Sequence, residues 1–183
     1  MPEDYLIRHC APTLAGLKTG SLFACPYETK DKLLASIRRI NRCLGPKGLR
    51  VLPLRFSEKR ALIYMYRPSK LSADLANTSA AALLRQQGYN TDSCERCLVQ
   101  LIQKLRTQAD FPHEIGLFLG YPPEDVCGFI ENKAACCKYT GCWKVYGDEE
   151  AAKKKFAQYK KCTQLYCYLW ANGKEIERLA VAG

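Results

Sequence analysis

No run of residues in this chain approaches the ~18 uninterrupted apolar positions that a bilayer-spanning helix requires. Its start, MPEDYLIRHCAPTLAG, lacks the basic stretch followed by an apolar one that marks a secretory signal. The expectation is a protein that stays in the cytoplasm where it is made and takes no membrane partner. Internal repeats, low-complexity tracts and linkers are missing too, so residues 1–183 read as one globular domain, long enough to bury one sizeable core. Acidic residues are in deficit, 18 Asp and Glu against 28 Lys and Arg, and the net charge of +10 points toward a polyanion. Histidine is down to two, so His9 and His113 are the imidazoles available for acid–base work.

Cysteine, by contrast, is plentiful. Eleven thiols, an odd number without an export signal, argue for reduced cysteines, metal ligands or catalysis and against a disulfide framework. Hydrophobic residues at 48% and charged residues at 25% exclude the composition of a disordered chain.

Periodicity then places the elements. Thr29 caps a helix with apolar positions Leu33, Ile37, Ile40 and Leu44, and Gly45-Pro46 stops it. Leu49 to Phe56 and Ala61 to Arg67 form an antiparallel pair around Ser57-Glu58-Lys59-Arg60, with Pro53 putting the first strand at an edge. Pro68 to Gly88 holds two short helices, the second capped by Thr78 and ended by Gly88. Asp92 and Glu95 open a further helix striped by Leu98, Leu101, Ile102 and Leu105. Ile115 to Leu119 reads as a short buried strand, and Gly120 to Asp125 as its junction into a helix carrying Val126, Phe129 and Ile130. Cys142 to Tyr146 reads as a last strand. Gly147-Asp148 opens, and Asn172-Gly173 closes, a long C-terminal helix with Lys153, Lys154, Lys160 and Lys161 on one side. The class is α/β (α+β): a small mixed sheet flanked by helices.

Three segments carry a resemblance: His9-Cys10-Ala11-Pro12-Thr13-Leu14-Ala15-Gly16-Leu17-Lys18 through Ser21-Leu22-Phe23, then Phe111-Pro112-His113-Glu114-Ile115-Gly116-Leu117-Phe118-Leu119-Gly120-Tyr121-Pro122, then Trp143-Lys144-Val145-Tyr146-Gly147-Asp148. With Tyr66-Arg67-Pro68 and Lys161-Cys162-Thr163, they make nearly the whole chain similar to an uncharacterised family of small proteins from anaerobic bacteria, a domain of unknown function. The resemblance implies no activity or cofactor. It singles out polar residues embedded in the motifs: Cys10, Lys18, Ser21, Arg67, His113, Glu114, Lys144 and Tyr146.

Chemistry assigns these residues roles. Cys10, beside a proline- and glycine-containing loop, is a candidate thiolate nucleophile with His113 as base and Glu114 orienting the imidazole; Lys18, Ser21, Arg67, Lys144 and Tyr146 would hold a small anionic ligand. The plainer reading of His113 is a surface or capping histidine before a strand. Cys94-Glu95-Arg96-Cys97 has dithiol redox spacing, yet both thiols continue an apolar stripe and read better as core. Cys127, Cys136, Cys137, Cys142, Cys162 and Cys167 suffice in number for a zinc or iron–sulfur site but lack the C-x₂-C knuckle. The lysine side of the last helix suits either solvent or a nucleic-acid backbone. The leading expectation is therefore a binding protein or thiol-dependent enzyme for a small anionic ligand; a thiolate metal protein and a nucleic-acid-binding protein are the alternatives.

Overall fold

The computed structural model describes residues 3–108 and 110–183. In chain order it runs α1 (Glu3–Leu14), β1 (Gly20–Pro26), α2 (Lys30–Leu44), a 3-10 turn (Gly45–Lys47), β2 (Arg50–Phe56), β3 (Arg60–Tyr66), α3 (Pro68–Ala76) and α4 (Thr78–Gln86). It continues with α5 (Cys94–Thr107), α6 (Ile115–Phe118), α7 (Pro123–Asn132), β4 (Tyr139–Thr140), β5 (Lys144–Val145), α8 (Glu149–Ala171) and α9 (Ile176–Leu179). This is the mixed α/β class with a long C-terminal helix. The strands pair antiparallel, in the order β1-β3-β2 and as the hairpin β4-β5. Contacts gather the chain into two compact units, Met1–Ser69 with Tyr159–Gly183, and Lys70–Gln158.

In the first unit, the Thr29 side chain accepts the Lys32 amide, and Leu33, Ile37, Ile40 and Leu44 form the buried stripe of α2. Alternation along the sheet does the same for the strands. Ile63 and Met65 of β3, Phe23 and Cys25 of β1 and Val51 of β2 share one core with Leu6, Ile7, Cys10 and Leu14 of α1, Cys162 and Tyr166 of α8, and Ile176 and Leu179 of α9. Pro53 lies in edge strand β2, where the register shifts before Arg55. Asn41 of α2 closes that edge by donating to the Val51 carbonyl at 2.9 Å and accepting its amide at 2.8 Å.

The second unit consists of short helices and the hairpin β4-β5. Helix α4 is capped by Asn77, whose carboxamide oxygen accepts the Ser79 and Ala80 amides, so the cap lies one residue before the expected Thr78. Likewise Ser93, between the expected Asp92 and Glu95, caps α5 by accepting the Arg96 amide. The segment expected as a strand, Ile115 to Leu119, is instead the helical turn α6, and the expected strand-to-helix junction is a turn between α6 and α7. A five-residue apolar run carries no period that separates the two conformations. Packing decides: a Cβ on Gly116 would lie 2.8 Å from Val126 Cγ2, so the glycine lets α6 close on α7. The last expected strand shrinks to Lys144–Val145.

The first segment differs most from expectation. What reads as a Cys10-to-Ser21 loop is the second half of α1 followed, after a turn through Gly16 (φ +75°), by the first residues of β1. Among the described residues, no helix is long and apolar enough to cross a membrane, and no pair of cysteines is bridged.

Candidate functional site

The eight residues singled out in the sequence divide evenly between the units. In the first, Cys10 is fully buried on α1, and burial pushes its thiol up from 9.0 to about 12, against the smaller opposing pulls of Lys18 and a hydrogen bond with Ser21. The Ser21 and Thr13 hydroxyls share a hydrogen bond at 2.9 Å. Cys10 is thus a neutral core thiol that shares a hydrogen bond with Ser21 and feels the charge of Lys18; a thiolate nucleophile needs the opposite surroundings. Lys18 sits 6.0 Å from the Tyr159 ring centroid.

Arg67 is 1% exposed. Its Nε donates to the Thr13 carbonyl at 2.8 Å and its Nη2 to the Leu14 and Val181 carbonyls at 2.8 and 2.7 Å, while Nη1 reaches the Lys47 carbonyl at 3.3 Å. Two of these carbonyls belong to the last turn of α1, where no intrahelical donor remains. The arginine expected to hold a ligand is spent on joining the end of α1 to the C-terminal segment.

In the second unit, Glu114 is buried and accepts from the Tyr89 hydroxyl at 3.0 Å and from Lys104 Nζ at 2.9 Å. Burial, and after it the neighbouring Glu114 carboxylate, pushes the Tyr89 hydroxyl pKa up. The His113 ring packs edge-on against Phe129, 4.9 Å between centroids. Lys144 Nζ donates to the Ala134 carbonyl at 2.8 Å. The Tyr146 ring lies over Gly128, where a Cβ would approach Cγ to 2.5 Å, and its hydroxyl is buried with no hydrogen-bond partner among the described residues.

His113 and Lys144 do meet at one place. Both line a cavity of about 300 Å³ whose walls include Ile115, Tyr121, Val126, Phe129 and Trp143, with Thr140 and Cys142 also on its lining. The wall is fixed by a residue outside the eight singled out above. Asp125, in the first turn of α7 and 3% exposed, accepts Trp143 Nε1 at 2.7 Å, the Tyr146 amide at 2.7 Å and the Gly147 amide at 2.8 Å. One carboxylate thereby binds the hairpin to α7. Trp143 is held further by stacking on Tyr121 (4.6 Å between centroids) and by an edge contact with Phe156 (4.5 Å, 83°). The exposed thiol on the same cavity as an imidazole is Cys142, not Cys10.

The remaining cysteines are dispersed. Cys127 Sγ lies 3.2 Å from Glu131, Cys137 Sγ lies 3.5 Å from the Thr140 hydroxyl, and Cys97 and Cys162 are buried. Among the described residues no three His, Cys, Asp or Glu side chains gather as a metal ion would require. On α8, Lys153 is paired with Glu149 at 2.8 Å and Glu150 at 3.0 Å, which takes one cation out of the expected basic side.

Fold and cavity together define a mixed α/β protein with a small, mostly apolar cavity edged by cationic and nucleophilic side chains. The chain belongs to a family described as a protein of unknown function, DUF3793, whose model matches residues 6–180. No curated protein and no solved structure matches it.

Proposed function

We propose that this protein binds a small ligand with a flat apolar body and an anionic end in the cavity of the Lys70–Gln158 unit. The observation that carries the reading is the cavity itself: aromatic and branched walls held by Asp125, with Lys144 and His113 on the lining. An apolar body would rest against Trp143, Tyr121 and Val126, and the Lys144 ammonium, which spends one proton on Ala134, has two more N–H donors for an anion. A cytoplasmic setting agrees with eleven unbridged cysteines. The thiol-dependent version of the same reading moves from Cys10 to Cys142.

Trp143 supplies the assay, because Trp170→Phe leaves it as the single tryptophan. Titration with 2-naphthoate should change its fluorescence saturably. Thr140→Phe, made at an exposed position on the cavity, should abolish the response, and Lys144→Met should weaken 2-naphthoate about tenfold while leaving 2-naphthamide unaffected. No saturable response up to millimolar probe, or equal losses for acid and amide, would refute the reading.

A further inference from the structure

The net charge is not spread over the chain. The first unit carries 17 Lys and Arg against 7 Asp and Glu, and the second carries 11 of each, so the whole surplus of +10 resides in the first. Within it, the exposed face of α2 is rich in arginine. Lys32 is neutralised by Glu28 at 2.5 Å and Arg39 by Glu3 at 2.5 Å, but Arg38 and Arg42 have no carboxylate partner among the described residues. They stand one helical turn apart, ~6 Å along the axis. Arg50, at the start of β2, is exposed as well; its Nη1 donates to its neighbour's carbonyl, Leu49, at 3.0 Å, and lies against Gly45 at the end of α2.

Arg38 and Arg42 border a shallow groove along α2, and Arg50 stands by Gly45, at the end of the helix. It is made of two hollows that meet at Ala35, one lined by Tyr27, Glu28, Lys32 and Ser36 and the other by Arg38, Asn41 and Arg42. The helical part, from Lys30 to Arg42, spans ~18 Å. At its far end Tyr27 is half-buried and fixed, with its hydroxyl donating to the Ser57 carbonyl at 2.7 Å and its ring edge-on to Phe56 at 5.7 Å.

We propose that this face of α2 binds single-stranded nucleic acid, with Arg38, Arg42 and Arg50 on successive phosphates and Tyr27 stacking a base. Arginine forks match phosphate oxygens, and an aromatic platform beside a cationic track is the sequence-tolerant way to hold a single strand. A membrane surface fits less well. Interfacial helices bury large apolar side chains, and among the described residues the exposed large apolar ones lie at Leu17, Val99, Phe111, Tyr139, Leu165, Tyr168 and Val181, none of them on α2, β2 or β3. This site is separate from the cavity of the second unit, so each proposal stands or falls alone.

The test is fluorescence anisotropy of the full chain with a labelled 20-nucleotide oligo-dT across a salt series. Log affinity should fall linearly with log salt, and replacing Arg38, Arg42 and Arg50 with glutamine should flatten the slope by about 2, three contacts at roughly 0.7 each. The corresponding lysine variants should keep the slope. Tyr27→Ala should weaken binding about tenfold and Tyr27→Phe should restore it. Circular dichroism checks that each variant is folded. The proposal is overturned if the unmodified protein fails to bind at low salt, if a duplex of equal length binds tighter, or if Lys154, Lys160 and Lys161 changed to glutamine flatten the slope while the arginine variant does not. Co-sedimentation with phosphatidylserine vesicles in the absence of oligonucleotide binding would overturn it in favour of a membrane.

Discussion

Asp125 offers the sharpest test of how the candidate cavity is held together. Its carboxylate accepts three hydrogen bonds while nearly excluded from water, two from backbone amides and one from an indole. A hydrogen bond to a charged group contributes about 1.5–3 kcal/mol, and donors stranded in a buried site retain their desolvation cost. Asp125→Ala strands all three, and allowing for partial relaxation the expected loss of stability is about 4–6 kcal/mol. Asp125→Asn behaves differently. Its carbonyl oxygen can still accept the Tyr146 and Gly147 amides, but its NH₂ then faces the Trp143 N–H, donor against donor, at a cost of about 2 kcal/mol. Removing the indole first with Trp143→Phe should relieve that conflict, so the asparagine substitution should cost less than ~1 kcal/mol in that background. Urea denaturation followed by circular dichroism yields all four corners of the cycle. An Asp125→Ala protein that loses less than ~1 kcal/mol, or an Asp125→Asn cost that is the same with and without Trp143→Phe, would refute the proposed role.

The first unit yields two further outcomes. With its thiol at about 12, Cys10 should be ionised to about one part in a hundred thousand at pH 7, against about one in a hundred at 9.0, so iodoacetamide should modify exposed Cys136 and Cys142 in the native protein and reach Cys10 only after denaturation; mass spectrometry of the digest reads the order. The same raised pKa makes Cys10 favour the fold while protonated, so its contribution is intact below pH 9 and is lost as pH rises from 9 toward 12; relative to Cys10→Ala, the unmodified protein should lose up to about 4 kcal/mol across that window, and parallel stability curves would contradict the burial argument. Arg67→Met removes the guanidinium from the Thr13, Leu14 and Val181 carbonyls, of which Thr13 and Leu14 still accept the Gly16 and Val181 amides, and should cost about 2–4 kcal/mol in urea denaturation, with no effect on 2-naphthoate binding by protein that remains folded.

Local signals located what depends on neighbours in the chain. The Thr29 cap and the four-residue stripe of α2, the β2-β3 pair with its edge proline, and the limits of α8 were readable because each is set by periodicity or by a turn residue within a few positions. The errors of one residue at Asn77 and Ser93 arose where two adjacent polar residues could both cap. Helix α6 was misread because its apolar run is too short to show a period. Helix α1 was missed because Pro12 and Gly16, which sequence rules associate with breaks, sit in its last turns and just beyond its end.

The candidate site was legible only in part. His113 and Lys144 stood out by residue type and do line the cavity, whereas Cys10, Arg67 and Glu114 stood out equally and serve the interior. Nothing local distinguishes them. A buried arginine that ends a helix and an exposed one that binds phosphate are the same letter, and Asp125 resembles any acidic residue in a first helical turn. The sequence by itself determined the mixed α/β class, the capped and amphipathic helices, the paired strands and the excess of positive charge, because those follow from spacing and composition. Tertiary structure alone decided which thiol is buried, which carboxylate gathers three donors and where the surplus charge collects. Solvent exclusion and hydrogen-bond geometry depend on residues that are distant in the chain and become neighbours only on folding.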